Sequence, residues 1–230
     1  MAEAARRAPE LPGTTWIMAA EQTEGRGRQG RPWASAPGNF AATLAMWPDT
    51  AADGGPARAA LRSFVAALAL YDAMAGLTGQ RRPFALKWPN DVLLNGGKVA
   101  GILLETAPGG ALLVGVGVNL AAAPEPADLE PGALRPVALA AETGVEVSPA
   151  AFLDALAPAF AFWEGRLAEE GFAPVRAAWL DRAARLGKPI RARTGREELH
   201  GTFETVDESG HLVVATASGR RAVAAAEVFL

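Results

Sequence analysis

The sequence predicts an α+β fold, in which a β-sheet packs against helices and is followed by a small β-barrel of the SH3-like kind. Three patterns predict it: strand-like apolar segments in the first 120 residues, apolar residues at helical spacing between 148 and 186, and short strands separated by turn residues beyond Gly187. We therefore expect one larger domain over residues 1–186 and a C-terminal barrel over residues 187–230.

Composition narrows the class of protein. At 230 residues, half of them apolar, the chain can bury a sizeable core, and its formal net charge of −3 argues against a general nucleic-acid binder. The absence of cysteine excludes disulfides, thiolate catalysis and Cys-ligated metals. His200 and His211 lie far apart near the C-terminus, which argues against a histidine triad or metal cluster. No long apolar stretch or secretory signal is visible, so we expect a cytoplasmic protein with no membrane partner.

The first half of the chain alternates helix and strand signals. In chain order they predict an Ala-rich helix at 2–8, a central strand at 14–21, a second strand at 39–47, an Asp-Gly-Gly-Pro linker at 53–56 and an amphipathic helix at 57–76 that ends near Gly76. A hairpin follows, with strands over 84–94 and 98–106 joined through Asn95-Gly96-Gly97, whose turn requires positive φ.

A nearly all-apolar segment, residues 112–120, predicts a central strand. Gly115 and Gly117 alternate on it and leave one face bare for close approach of a ligand. Residues 121–136 are rich in proline and alanine and predict a long loop.

The second half begins with two helices. Ser148 and Pro149 predict the start of a helix that reaches Gly171, with a kink at Pro158, and a last helix is expected over 173–186. The barrel strands are predicted at 189–193, 199–206, 211–216, 221–224 and 228–230.

Two stretches carry the candidate chemistry. The loop from Gly25 to Trp33 holds three glycines and three arginines, a composition that lets backbone N–H groups and guanidinium groups converge on an anion. A mobile surface loop and an arginine–glycine RNA-binding tract are the alternatives at this point. The second stretch is the predicted hairpin, whose apolar run is interrupted by Lys87, Asn90, Asp91 and Lys98.

If the loop and the hairpin face one cleft, that cleft holds cations, one carboxylate and bare glycine backbone, without His, Cys or an evident Ser nucleophile. Such a set suits electrostatic handling of phosphate better than covalent catalysis. The lysines of the chain are Lys87, Lys98 and Lys188, and Lys98 is our candidate for the ammonium that lets an acid attack the α-phosphate of ATP. Asp91 and Asn119 are candidates for positioning Mg²⁺. An ordinary structural Lys–Asp pair remains the alternative.

Four motifs together resemble those of bacterial biotin protein ligases. They are Gly25-Arg-Gly-Arg-Gln-Gly-Arg-Pro-Trp33, Lys87-Trp-Pro-Asn-Asp91, Lys98-Val-Ala-Gly-Ile-Leu-Leu-Glu105 and Gly115-Val-Gly-Val-Asn119, in the order and spacing of that family. The resemblance implies a mixed β-sheet backed by helices, the class II synthetase-like biotin/lipoate ligase core, with a small SH3-like domain after it. It also implies a ligase that forms biotinyl-5′-AMP from biotin and ATP with Mg²⁺ and passes biotin to a lysine of a biotin carboxyl carrier domain.

The same resemblance assigns site residues. Gln22, Gly25, Arg26, Arg28, Lys98 and Gly101 would bind biotin; Arg28, Arg31, Trp33, Asn90, Asp91 and Asn119 would bind ATP; Asp91 and Asn119 would hold the metal; Lys98, Arg28 and Lys87 would be catalytic.

The sequence departs from the family in one respect that concerns the biotin pocket. The family places a strand ending in Ser-Thr before the helix that resembles residues 2–8, whereas this sequence begins at the helix. We expect a late start of the sequence, the alternative being a protein without part of its biotin pocket. No DNA-binding domain is present in it, so DNA is not an expected partner, and a homodimer is left open. The alternative functions are a lipoate- or octanoate-handling relative, a catalytically weak adenylate-binding member and a nucleic-acid-binding module.

Overall fold

The computed structural model describes residues 1–48, 56–125 and 134–230. Its helices are α1 (Ala2–Arg7), α2 (Pro56–Ala59), α3 (Arg62–Thr78), α4 (Leu139–Thr143), α5 (Pro149–Glu170) and α6 (Phe172–Asp181). Its strands are β1 (Thr15–Met18), β2 (Phe40–Met46), β3 (Phe84–Lys87), β4 (Asp91–Leu94), β5 (Gly97–Ala107), β6 (Ala111–Val118), β7 (Pro189–Arg193), β8 (Glu198–Val206), β9 (Leu212–Thr216), β10 (Gly219–Val223) and β11 (Glu227–Phe229). No helix within these ranges has both the length and the apolar composition needed to span a membrane.

The first six strands form one sheet in the order β1-β2-β6-β5-β4-β3. Neighbouring strands are antiparallel. Two isolated bridges, from Leu86 to Ala183 and from Lys98 to Pro136, are parallel, so the sheet contains both kinds of pairing. The predicted mixed sheet backed by helices is thereby confirmed. Strand β6 is central, as its apolar run predicted, but β1 lies at the sheet edge, so its predicted central position is wrong. Its four residues are half-buried or exposed, which is typical of an edge.

The segment predicted as one strand over residues 84–94 is itself a hairpin of β3 and β4. Pro89 has no N–H to donate and has a fixed φ, so the ladder breaks and the chain turns through Trp88, Pro89 and Asn90. Lys87 and Asp91 consequently face each other as register partners. The following turn is as predicted, since Asn95 and Gly96 join β4 to β5 with φ of 49° and 78°.

Helix ends are set by caps and by tertiary pairing. Helix α3 continues past Gly76, where its end was predicted, and stops at Gly79, which adopts a left-handed φ of 68°. Helix α5 begins as predicted, with the Ser148 side chain accepting a hydrogen bond from the Ala151 N–H at 3.2 Å.

Two further predictions about the second half need correction. Helix α6 ends at Asp181 and not at 186, because the backbone beyond it pairs with Leu86 on the edge strand β3. The Leu86 N–H donates to the carbonyl of Arg182 at 2.8 Å, and the Leu86 carbonyl accepts from the Ala184 N–H at 2.7 Å. Helix α4 was not predicted. Residues 53–55 of the predicted linker and residues 126–133 of the loop predicted at 121–136 lie outside the described residues, and Pro56 begins α2.

The alternation of β6 gives the sheet two different faces. Its even-numbered residues, from Leu112 to Val118, pack into the main core with α3, α5 and α6. Its odd-numbered residues face the other way: Leu113 packs with α1 in a small second cluster, and Gly115 and Gly117 leave an open floor. The helices therefore stabilise one face while the glycines keep the opposite face available for a site.

The C-terminal segment, residues 187–230, forms a second sheet of five strands in the order β10-β9-β8-β7-β11. Each predicted barrel strand is present within two residues of its predicted bounds. The outer strands β10 and β11 do not pair with each other, so the described residues form an open sheet and not a closed barrel, and its SH3-like character stays a prediction. The Trp179 and Phe203 rings, 6.4 Å apart, pack this segment against α6. The division of the chain into domains at residue 187 stays a prediction.

Candidate active site

A cleft of about 350 Å³ lies over the glycines of β5 and β6. It is within the size range of small-molecule sites. The structure brings nearly all the predicted site residues to its walls: Gln22, Arg26, Arg28, Arg31, Trp33, Lys87, Asn90, Asp91, Lys98, Gly101 and Asn119. Gly25 is the exception: it does not line the cleft, and its carbonyl accepts the Trp33 N–H that closes the arginine–glycine loop.

A lysine–aspartate–lysine cluster stands at the hairpin. The Nζ of Lys98 lies 2.6 Å from one carboxylate oxygen of Asp91, and the Nζ of Lys87 lies 3.3 Å from the other. Lys87 and Asp91 are buried, whereas the Lys98 side chain is 30% exposed. Burial alone would raise the pKa of Asp91, but the two ammonium groups outweigh it and hold that pKa below its usual value. The cluster is therefore ionised and carries a net positive charge, with Lys98 as its accessible member.

The two predicted carboxamides are fixed by backbone carbonyls. Asn90 donates from Nδ2 to the carbonyl of Ile102 at 2.6 Å, and Asn119 donates from Nδ2 to the carbonyl of Val137 at 3.1 Å. Both residues also hold backbone bonds to β5, at Ile102 and Val99. In this structure, then, both amide nitrogens are used to shape the cleft wall.

The arginine–glycine loop folds back on itself as a small hairpin. The Trp33 N–H donates to the carbonyl of Gly25 at 2.9 Å, and the Gly27 N–H donates to that of Arg31 at 2.7 Å. A side chain at Gly25 would place its Cβ 2.2 Å from the Trp33 carbonyl oxygen, so glycine is required there. These bonds hold the loop in a folded conformation, and its predicted role in binding a ligand stays a prediction.

Trp33 covers the glycine floor. Gly101 and Gly117 are register partners on β5 and β6, and a Cβ on either would lie 3.1 Å or less from the Trp33 ring. The Nζ of Lys98 lies 5.5 Å from the centre of the same ring. The bare strand face that the glycines predicted thus exists, with the indole of Trp33 resting on it.

The arginines of the loop differ in their partners. Arg26 pairs with Glu105 at 2.8 Å, and Arg31 pairs with Glu227 of the C-terminal segment at 2.5 Å. Arg28 makes no ion pair with any carboxylate in the described parts of the chain. Burial lowers the pKa of Arg28 from its ordinary value, and the nearby charges of Asp91 and Glu227 oppose that shift. Arg28 is therefore the cation best placed to receive an incoming anion.

Gln22 brings an unused polar atom to the cleft. Its Oε1 is buried and accepts no hydrogen bond within the described ranges. A buried acceptor without a donor costs free energy, and a ligand N–H would satisfy it.

The cleft residues that were not predicted include Met1, Thr43 and Glu227. Thr43 could have been found, because it is the polar residue in the otherwise apolar strand β2 and is 4% exposed. Nothing local marks Glu227, which reaches the cleft from the far end of the sequence. Met1 lies over Gly115, with its Sδ 2.6 Å from the position of a Cβ there.

A metal site made of protein atoms alone does not fit this cleft. No group of three His, Cys, Asp or Glu side chains that could hold a metal ion occurs among the described residues, and both oxygens of Asp91 are engaged by lysines. The metal role predicted for Asp91 and Asn119 stays a prediction. What the cleft offers is a surplus of cations for an anionic ligand, over a floor without side chains.

Comparison with known proteins gives a consistent result. Residues 2–120 match the model of the biotin/lipoate A/B protein ligase family, and residues 186–230 match that of the biotin protein ligase C-terminal domain. A biotin–(acetyl-CoA-carboxylase) ligase of Paracoccus denitrificans is 56% identical over 99% of this chain and 95% of its own length. A biotin protein ligase of Aquifex aeolicus, solved with biotin and ATP, superposes with a TM-score of 0.81 at 23% identity over 97% of this chain and 92% of its own. One from Leishmania major, solved with biotin, has a TM-score of 0.66 at 25% identity over 97% of this chain and 93% of its own.

Proposed function

Because the chain belongs to the biotin/lipoate A/B protein ligase family, we propose that it is a biotin protein ligase. It joins biotin to ATP as biotinyl-5′-AMP and transfers the biotinyl group to a lysine of a biotin carboxyl carrier domain. The observation that carries this proposal is that one cleft, floored by Gly101 and Gly117, is lined by both the accessible ammonium of Lys98 and the guanidinium of Arg28.

The first step joins two anions. A carboxylate oxygen of biotin attacks the α-phosphorus, a C–O–P bond forms, the bond to the bridging oxygen breaks, and pyrophosphate leaves with the electron pair. Two unit charges at ~3.5 Å repel by about 5 kcal/mol at an effective dielectric near 20. Lys98 and Arg28 would offset that repulsion in the ground state and the charge that develops in the transition state. No general base is needed for this step, because biotin enters as the carboxylate.

The second step forms an amide. The neutral amine of the carrier lysine attacks the acyl carbon, the bond to AMP breaks, and AMP leaves as the anion while the amine loses one proton to solvent. Lys87 belongs to the lysine–aspartate–lysine cluster, with its Nζ 3.3 Å from Asp91, and its positive charge would favour an acceptor amine that is uncharged. The same charge stabilises the departing AMP.

The remaining predicted residues divide between the two substrates. The buried Oε1 of Gln22 would accept an N–H of the ureido ring, and the backbone of Gly25, Arg26 and Gly101 would shape the ring pocket. Arg31 would meet the triphosphate and Trp33 would pack near adenine. Asn90, Asp91 and Asn119 would line the phosphate end. Mg²⁺ would enter with ATP, with phosphate oxygens and water as most of its ligands and Asp91 and Asn119 as the predicted protein contacts, and it would offset charge on the phosphates.

The test uses the whole protein with ATP, Mg²⁺ and an isolated carrier domain. Biotin should give a carrier whose mass rises by one biotinyl group, and lipoate should not. A thermal shift with each acid separates binding from turnover, since a ligand that binds the folded state raises the melting temperature. Stabilisation and transfer with lipoate but not with biotin would reassign the chain to a lipoate-handling relative. Binding of biotin without transfer would leave a catalytically weak family member.

A further inference from the structure

Thr43 places a hydroxyl group on the floor of the cleft. It lies in the middle of β2, where every residue is buried and all the others are apolar. Its register partner on β6 is Gly115, so the Thr43 side chain points to the same face of the sheet as the bare glycines. None of the hydrogen bonds within the described parts of the chain involves this hydroxyl, and its oxygen is not sealed off from the cleft. The hydroxyl is therefore available to a ligand.

Folding does not account for a threonine at this position. Thr43 is 4% exposed, and a buried hydroxyl without a protein partner costs free energy. Valine has nearly the same shape, favours strands as strongly and would fill the position without that cost. The property that distinguishes threonine from valine here is the ability to hydrogen-bond a molecule in the cleft.

The sheet gives the cleft a neutral end and a cationic end. Thr43 lies on β2 and Gln22 follows β1, whereas Lys98 lies on β5, with β6 between. Two strand spacings, about 10 Å in all, therefore separate β2 from the strand that carries the ammonium group. The floor between them is formed by Gly117 and Gly101, which face each other on β6 and β5. This layout fits an acid with an uncharged polar head, an apolar chain and a distant carboxylate.

We infer that Thr43 is a specificity-determining residue that hydrogen-bonds the ureido ring of biotin. The inference rests on the proposed function and deepens it, because it states how the cleft selects its acid. The Oε1 atom of Gln22 can only accept a hydrogen bond, whereas the Thr43 hydroxyl can also donate one, so the two together match the N–H and C=O groups of the ring. Lipoate and octanoate lack such groups at the end remote from the carboxylate. They would leave both protein atoms unpaired, and sites built to hydrogen-bond a ligand strongly reject analogues that cannot.

The test measures dissociation constants by isothermal titration calorimetry on the whole protein, with Thr43→Val compared to the wild type. Loss of one neutral hydrogen bond in a buried site should raise the dissociation constant for biotin about tenfold. Dethiobiotin, which keeps the ureido ring and lacks the thioether, should weaken by the same factor. Lipoate, measured as a competitor of biotin, should bind Thr43→Val at least as well as it binds the wild type, and the affinity for ATP should not change.

Two further variants separate a role in binding from a role in folding. Thr43→Ser keeps the hydroxyl and should retain most of the affinity for biotin. Thr202→Val, on β8 and outside the cleft, is the matched control and should bind biotin like the wild type. Without ligand, Thr43→Val should melt at the same temperature as the wild type or higher, because no protein hydrogen bond is lost.

Three results would overturn the inference. They are unchanged biotin affinity in Thr43→Val, weakened biotin binding with unchanged dethiobiotin binding, and a lower melting temperature of the ligand-free variant, which would make the hydroxyl a structural group. A wild-type protein that binds no biotin would instead refute the proposed function, so the two failures can be told apart.

Discussion

Among single residues, Asp91 is a buried carboxylate that lies between two lysine ammonium groups. It is 7% exposed, and each of its oxygens faces a different ammonium group. A buried carboxylate is tolerable because Lys87 and Lys98 compensate it, and the buried Lys87 is tolerable for the same reason. Asp91 therefore fixes the positions of the Lys87 and Lys98 ammonium groups and also compensates their charge.

Replacing Asp91 by Asn should destabilise the protein by about 3 kcal/mol at pH 7, because a buried ammonium loses its counter-ion. The pKa of Asp91 is lowered in the folded state, so its contribution is complete above the unfolded pKa of ~3.9 and is lost as pH falls through the folded value. Urea unfolding should thus show a constant difference between variant and wild type from pH 7 to about pH 5, narrowing below about pH 4. Asp154→Asn, at an exposed site on α5, serves as the control with little effect. A difference that widened in acid would contradict the ion-pair account.

Among elements, β5 and β6 determine how deep the cleft is. Their register places Gly101 opposite Gly117, and this pair forms a slot for the flat ring of Trp33. The alternation of β6 predicted a bare face, and the structure has one. The occupant of that face could not be predicted, because it depends on how the arginine–glycine loop closes, through bonds between residues that no local pattern pairs.

The same glycine-to-alanine change should have opposite effects in two elements. In Gly117→Ala the new Cβ would lie 2.7 Å from the Trp33 ring, so the ring must move, which should cost about 1–3 kcal/mol of folding stability. In Gly76→Ala the methyl meets nothing within 4 Å on the exposed side of α3, and better helix propensity should add about 0.5–1 kcal/mol. Chemical unfolding of both variants measures the two free energies. If both substitutions changed the free energy of unfolding in the same direction, Trp33 would not occupy the slot between Gly101 and Gly117.

The hairpin at residues 84–94 shows where sequence patterns fail at this scale. Its residues are apolar enough to form one strand, and the pattern predicted one, yet Pro89 breaks the ladder and produces two strands. The Asn95–Gly96 turn was predictable because its chemistry is local. The edge position of β1 was not, since strand composition does not report which neighbours a strand will have.

At the level of the whole molecule, the C-terminal segment packs against the turn between β3 and β4, which directly follows Lys87. The indole Nε1–H of Trp88, a residue of the turn between β3 and β4, donates to the carbonyl of Gly210 at 3.0 Å. The Phe64 ring lies beside Gly210, 3.0 Å from the position of a Cβ there. Together with the pair of Arg31 and Glu227, this contact links the second sheet to both sides of the cleft. The sequence predicted both parts of the chain but not these links, which join residues more than 100 positions apart.

Trp88→Phe should lower the free energy of unfolding by about 1–3 kcal/mol, because it leaves the Gly210 carbonyl without its donor and opens a small void. If the second sheet is bound to the first, circular dichroism and tryptophan fluorescence should report one shared transition at the lower stability. Trp47→Phe, at a site 36% exposed, is the control. Two separate transitions in the wild type would mean that the sheets fold independently.

The most direct test of the central claim is biotin-dependent exchange of labelled pyrophosphate into ATP, which needs no carrier. The proposed function predicts exchange with biotin, none with lipoate or without an acid, and a loss of about 100-fold or more in Lys98→Ala. Lys188→Ala, which removes an exposed lysine outside the cleft, should exchange like the wild type. No exchange with biotin, or full exchange in Lys98→Ala, would contradict the assignment of this cleft to biotin activation.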